Sequence, residues 1–583
     1  MKQVLKEWLK KSYLKIFLII VFIFLNIYFL TYPPKIIGEI VDLFYDIDNN
    51  KQEIYRKIFF LIFSAIIFLL VRLPWRTLAI NCTLDYEKRI KDALFKQFTR
   101  IKMNNLQNIR NGEIMAYFTK DVNETRRFLN CLIGLGLRII ATLLIATYTM
   151  MKNVNVELTI VTLSPLIITI ILVIIVKNRV QKESEVARRE FSALSEYVQE
   201  STDGIRTIKA YSGEEKQINE FECRNKNLRN SNIKVGIFST LLSTIINLGF
   251  GICIGIAILY GSKLVINRTI TIGDLIAFNG YISLFVNPII WIPQIITKYK
   301  IAKISFERLE SVFKLETEDI EISKTEKGKI HGDIKIKDLT FNYPANIEVA
   351  LKNINLEIKE GQTLGIIGTI GSGKTTLMNL LLRLYTVPNG KIFIDGKDIN
   401  KINLNDLRNS ICYITQEHFL FSTTIKENIG LFRDNYTEEA IIESTKSAMI
   451  ADDIERMEEG INTVVGERGI DLSGGQKQRV VISRAFLQKS NIVIFDDTFS
   501  ALDNRTEEFL LRNIRELTKG KTCIIVSNRI SDIKDADNII VLDDGEIIQS
   551  GTHKELIKEN GLYKKFYKQQ SSKTDTEVGE LIG

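Results

Sequence analysis

The chain has 583 residues, 45% of them hydrophobic and 25% charged, with a formal net charge of +8. That length predicts two or more domains, and six widely spaced cysteines without a Cys-x-x-Cys pair argue against both a disulfide scaffold and a zinc site. The excess lysine and arginine lies mainly in loops between apolar runs, so it reads as positive-inside bias, with no nucleic-acid partner.

About 20 apolar residues cross a bilayer as a helix, and six runs of that kind occur, at about 16–36, 55–78, 128–151, 157–177, 235–262 and 273–297. The first is not read as a signal peptide: its apolar core is too long, no small-residue cleavage site follows, and further spans come after it. The basic, amphipathic start MKQVLKEWLKK is expected on the cytoplasmic face, and the acidic DLFYDIDNN outside. Residues 79–127 and 178–234 are long and rich in Lys and Arg, whereas 152–156 and 263–272 are short. Positive-inside bias then puts both long segments, and everything after residue 300, in the cytoplasm. Residues 1–315 are thus predicted to form an α-helical six-span domain with long cytoplasmic helical loops, in the cytoplasmic (inner or plasma) membrane. Arg138 interrupts the third span; it either faces a cavity or partner, or sits near the cytoplasmic surface.

A linker rich in Glu, Lys and Ser covers 316–329, and residues 330–570 read as an α/β nucleotide-binding domain with a helical subdomain. IKIKDLTFNYP predicts a strand; QTLGIIG predicts another, followed by GTIGSGKTT and the helical LMNLLLRLY. Strand, glycine-rich loop and helix give Gly368, Thr369, Ile370, Gly371, Ser372, Gly373, Lys374, Thr375 and Thr376 the setting of a phosphate-binding loop. Its backbone N–H groups and the helix start attract phosphate, Lys374 reaches the β- and γ-phosphates, and Thr375 offers a hydroxyl to Mg²⁺. The apolar run IVIF delivers Asp496, a carboxylate suited to the same magnesium. The tail 571–583 is expected to be disordered.

Between these elements stands VGERGIDLSGGQKQR, in which Leu472, Ser473, Gly474, Gly475 and Gln476 match the LSGGQ signature of ABC transporter ATPases. Six spans followed by one such domain resemble the half-transporter layout of ABC exporters. The resemblance implies that Tyr343 stacks on the adenine of ATP, and that Gln416 senses Mg²⁺ and faces the membrane domain. It also implies that Glu467 contacts the opposite subunit's membrane domain. Ser500, Ala501, Leu502 and Asp503 match the loop that crosses the dimer interface, and the signature serves ATP held by the partner subunit. Residues 111–128 and 204–221 look like the cytoplasmic loops bearing the coupling helices. No peptidase-sized domain precedes the first span, which weakens a peptide-processing reading.

Two positions depart from the family pattern. The acid after Asp496 is Asp497, where the family places a glutamate that polarises the attacking water. Asn528 stands where the family has a switch histidine, and neither His331, His418 nor His553 replaces it by position. Both departures touch the γ-phosphate, whereas the signature is intact, so the resemblance implies the degenerate-site subunit of a heterodimer, with a partner carrying the glutamate and histidine. The rivals are a slow homodimer and an ATP-binding regulator without transport. Spans of Ile, Leu and Phe, with Tyr281 and Trp291 near the sixth, suit a small amphipathic or lipid-like substrate such as a drug, and equally suit plain lipid-facing helix.

Overall fold

The computed structural model describes residues 1–107, 109–318, 330–343, 348–431, 436–466, 471–499 and 504–580. They fall into two compact units, Met1–Thr99 with Arg110–Leu315, and Arg100–Ile109 with Glu316–Gly583.

The first unit is all helix. Six apolar helices run over Gln3–Leu43, Asn49–Phe98, Asn111–Asn153, Val156–Asp203, Glu214–Ile266 and Ile272–Phe313. At about 1.5 Å per residue the 53-residue Glu214–Ile266 is about 80 Å long. That exceeds a bilayer core of about 30 Å. Each apolar run therefore occupies only part of its helix, and the charged remainder continues as helix rather than loop. Phe59, Phe63, Leu70, Ile167 and Ile168 are exposed large apolar side chains, the kind of surface a bilayer covers. Inside, glycines let helices approach: a Cβ on Gly249 would lie 2.3 Å from the Thr169 hydroxyl, and one on Gly38 would lie 2.4 Å from the Gly273 carbonyl. Asp42 closes the same contact by accepting from Gly273 N (2.7 Å) and the Thr271 hydroxyl (2.6 Å). The Arg138 guanidinium lies 4.9 Å from the Trp291 ring centre and 6.0 Å from that of Trp75, a cation–π setting inside the bundle.

One expectation about the cytoplasmic loops is corrected. Residues 111–128 belong to the helix Asn111–Asn153, not to a loop. Asn111 and Gly112 open that helix behind the extended Arg110. The chain reverses in 99–110, where a short helix, Met103–Leu106, forms part of the second unit. Ile101 bridges Thr317, Lys102 N donates to Glu316 O, and Met103 packs on the second unit's core. The side chain of Gln107 bonds the Tyr385 hydroxyl. Within 204–221 a short helix, Ile205–Ala210, does join two long ones.

Among the described residues the second unit holds ten strands: β1 (Ile334–Asn342), β2 (Val349–Ile358), β3 (Thr363–Gly368), β4 (Ile392–Ile394), β5 (Lys397–Asp398), β6 (Ile411–Ile414), β7 (Ile492–Asp496), β8 (Thr522–Val526), β9 (Asn538–Asp543) and β10 (Glu546–Gly551). They form an antiparallel sheet in the order β2-β1-β4-β5 and a larger one in the order β10-β9-β3-β8-β7-β6. From β9 to β6 the larger sheet is parallel. Its inner strands read TLGIIG, IVIFD and TCIIV and are nearly fully buried, as parallel strands covered on both faces must be. Register pairs Ile366 and Asp496 each with Val526. The carboxyl ends of β3, β7 and β8 therefore lie side by side, the edge where open α/β sheets bind ligands. Glu318, inside the predicted linker, is held by Arg408 through two 2.8 Å bonds. Residues 319–329 lie outside the described part. The last helix, Leu562–Glu580, continues into the tail where composition predicted disorder.

Candidate functional site

The site begins where β3 ends. A Cβ on Gly368 would come within 2.0 Å of the Leu542 carbonyl oxygen, so only glycine lets the chain leave the sheet there. Gly371 and Gly373 adopt φ of +82° and +98°, left-handed backbone that glycine enters without strain. Gly373 caps the helix Lys374–Leu381, whose free N–H groups and dipole face the loop. The Lys374 ammonium folds over the loop and donates to the carbonyls of Gly368 (2.9 Å) and Thr369 (2.8 Å). Thr369 Oγ1 ties the loop to Asp543 (2.7 Å). Burial lowers the Lys374 ammonium below its usual range, and Asp496 and Asp497 oppose that shift.

Across from the loop, Asp496 ends β7 and is almost wholly buried. Its Oδ2 accepts from the Tyr413 hydroxyl at 3.0 Å. Burial raises its carboxyl above the ordinary value, while bonds from Tyr413 and Thr375 and the charge of Lys374 pull it back. Asp497 has φ +45°, its N donates to Val526 O at 2.8 Å, and its Oδ2 accepts from Gln416 Nε2 at 3.3 Å. Ile370 to Thr376, Gln416, Asp496, Asp497 and the Val526–Asn528 segment line one cavity of about 210 Å³. Eleven predicted residues thus meet there. Thr375, Gln416 and Asp496 carry the oxygen atoms that suit a hard cation such as Mg²⁺, which takes its remaining ligands from phosphate and water.

Tyr343 is not among the lining residues. Its hydroxyl is 2.9 Å from Thr376 Oγ1, and its ring meets Phe341 and Tyr385 edge to face. The signature residues lie elsewhere in the unit. Leu472 is buried in the core, and Ser473 caps the helix Gly474–Leu487 in a capping box with Gln476. The Gln476 side chain also holds Asp453 at 3.0 Å. Glu467 and Ser500, Ala501, Leu502 and Asp503 lie outside the described residues.

Sequence reasoning missed the support of the Asn528 segment. Gln570, on the last helix, accepts from Ile530 N (2.9 Å) and donates to Asn528 O (2.8 Å). Ser527 Oγ donates to Asp532 (2.5 Å), and Arg529 pairs with the buried Glu507. No local motif marks these partners, because Gln570 and Glu507 come from helices distant in sequence. His418 also acquires a neighbour: its Nε2 is buried without a hydrogen bond among the described residues, burial lowers its pKa, and the charge of Asp497 opposes that.

The Glu507 carboxyl is pushed up to about 7, first by burial and then by Asp532, with Arg529 and Ser531 acting against it. A raised carboxyl favours the protonated folded state. The penalty is absent below the ordinary value of 4.5, grows as pH rises and is complete above about 7. Thermal unfolding followed from pH 5 to pH 8 is expected to show a falling Tm, and Glu507→Gln is expected to flatten that fall. An equally steep fall in the variant would assign it to other groups.

Residues 16–289 match the ABC transporter transmembrane region family, and residues 351–500 match the ABC transporter family. Over 552 residues, 94% of each chain, the sequence is 32% identical to the "Probable multidrug resistance ABC transporter ATP-binding/permease protein YheI" of Bacillus subtilis (strain 168). The chain belongs to the ABC transporter family. The chain thus carries an ATP-binding ABC transporter domain together with a multi-pass membrane region. This ABC transporter is also 30% identical to the "Multidrug resistance-like ATP-binding protein MdlA" of Escherichia coli (strain K12), covering 92% of this chain and 91% of that protein. It is 32% identical to the "Leukotoxin translocation ATP-binding protein LktB" of Mannheimia haemolytica, covering 95% and 78%. Its fold is shared with a bacterial Atm1-family ABC exporter solved with ATP bound, at a TM-score of 0.76 and 22% identity, over 96% of this chain and 98% of that one.

Proposed function

We propose that this ABC transporter is one half of an ATP-driven exporter, that its own ATP site is weak in hydrolysis, and that it pairs with a different chain carrying the missing glutamate and histidine. The carrying observation is the placement of Asp497 and Asn528 in one cavity with Lys374 and Asp496. The binding groups are those that hold a nucleotide, whereas the two groups nearest the reacting phosphate are both weaker versions. Asp497 is one methylene shorter than glutamate, a retreat of about 1 Å, and a misplacement of that size can cost about 10²-fold in rate. Asn528 can donate a hydrogen bond to a phosphate oxygen but carries no positive charge.

In this reading, loop N–H groups and Lys374 bind the phosphates. Thr375, Gln416 and Asp496 hold Mg²⁺, which supplies charge neutralisation between phosphates when bound. Ser473 presents the signature helix start to nucleotide on the partner, and the ordered capping box supports an active role for it. The partner's own site would then carry most of the hydrolysis that resets the exporter. The export direction draws on the relatives, two of which are named for multidrug resistance and one for leukotoxin translocation.

The test uses the purified full-length chain in lipid nanodiscs. We expect ATP binding in the presence of Mg²⁺, slow steady-state turnover, and faster turnover once a chain with an intact glutamate and histidine is co-expressed. Robust turnover by the isolated chain, abolished by Asp497→Asn, would sink the degenerate-site reading.

A further inference from the structure

The membrane unit contains a second cavity, about 560 Å³, within the range of small-molecule sites. Helices Asn111–Asn153, Val156–Asp203, Glu214–Ile266 and Ile272–Phe313 all contribute to it. Leu135, Val173, Leu242 and Ile246 give it apolar walls, and Lys177 and Lys298 are its charged residues.

Lys177 is the informative one. Its Nζ is buried and has no hydrogen-bond partner among the described residues. A lysine at the end of a span ordinarily runs its stem along apolar surface and lifts the ammonium into water; the Nζ of Lys177 is buried instead. Its electrostatic neighbour is Lys300, a like charge that adds to the cost. No Asp or Glu is among the residues that line the cavity. No Asp or Glu occurs between Glu124 and Glu157, between Glu157 and Glu183, between Glu222 and Asp274, or between Asp274 and Glu307. One helical turn beyond Leu135, Arg138 is stacked on Trp291 and Trp75 and is not among the lining residues. A buried, unpaired ammonium is costly, and an anion that enters the cavity would offset that cost.

We propose that this cavity binds an amphipathic anion, a molecule with an apolar body against the helix walls and one acidic head group, carboxylate, sulfonate or phosphate, against Lys177 and Lys298. The proposal rests on the exporter reading and names the class of its cargo.

The experiment is equilibrium binding to the full-length chain in zwitterionic phosphatidylcholine nanodiscs, with empty discs subtracted. The probes are dansyl-undecanoic acid and its neutral methyl ester. The acid is expected to bind at least about tenfold tighter than the ester, the factor that about 1.4 kcal/mol represents. Lys177→Gln with Lys298→Gln is expected to abolish that preference and leave ATP affinity unchanged. Lys177→Arg with Lys298→Arg is expected to retain it, which separates charge from folding. Discs containing phosphatidylglycerol distinguish two sources of the anion. Competition that the glutamine variant loses identifies a lipid; no competition identifies a soluble amphipath. Equal affinity for acid and ester in the wild-type chain, or a preference that survives the glutamine variant, overturns the proposal. With ATP binding intact, that result leaves the exporter reading standing, whereas failure to bind ATP would undermine the exporter reading instead.

Discussion

Asp497→Glu combined with Asn528→His is expected to raise ATP turnover of the isolated chain about 10²-fold. The rest of the cavity is already assembled: Lys374 on the loop, Asp496 at the end of β7, and Gln416 bonded to Asp497. The backbone at Asp497 is fixed by its bond to Val526 O, so a glutamate there reaches one methylene further from the same anchor. The anchor has φ +45°, a conformation that costs glutamate somewhat more than aspartate, and this limits the gain. Asn528 sits on a segment held by Gln570 through two hydrogen bonds, so a histidine there inherits a placed backbone. The check is steady-state phosphate release from wild type, each single variant and the double variant. Equal rates in all four would mean that neither side chain limits hydrolysis and that the barrier lies in pairing the two ATPase domains.

Gly373→Ala is expected to destabilise the ATPase unit and remove nucleotide binding together. At φ +98° an alanine costs about 1–3 kcal/mol in backbone strain. Its Cβ would also lie 2.7 Å from Leu351 Cδ2 and 2.8 Å from the Ala350 carbonyl. Overpacking of that kind costs about 1–3 kcal/mol more, because a carbonyl in a strand cannot swing away as a side-chain tip can. The relief available is a shift of the loop, which would move the N–H groups ahead of Lys374. Gly390 is the control: its φ is +73°, but nothing lies within 4 Å of a Cβ placed there. Gly390→Ala is expected to cost strain alone, about 1–2 kcal/mol, with ATP affinity unchanged. Thermal unfolding and titration with a fluorescent ATP analogue check both variants. Unchanged ATP affinity in Gly373→Ala would show that the loop tolerates displacement.

Much of this was legible along the chain because the causes are local. A spanning helix needs only a run of apolar residues, and all six runs became helices. The phosphate loop is contiguous, so its glycines and lysine announce themselves. Residues 111–128 were expected to carry a coupling helix, yet the chain reverses before them, where Ile101, Lys102 and Met103 are held by residues more than 200 positions away.

The amino-acid pattern alone thus pointed to six membrane helices, a glycine-rich loop between strand and helix, an apolar strand ending in a carboxylate, and Asp497 and Asn528 where the family pattern has glutamate and histidine. Folding supplied what separate segments create together. Parallel register brings Gly368, Asp496 and Ser527 to one sheet edge. Packing sets Gln570 against Asn528 and leaves the Lys177 Nζ buried without a hydrogen-bond partner among the described residues. The physical reason is range. Hydropathy and backbone conformation act between neighbours in sequence, whereas desolvation and hydrogen-bond pairing depend on which distant side chains the packed chain places within a few ångströms.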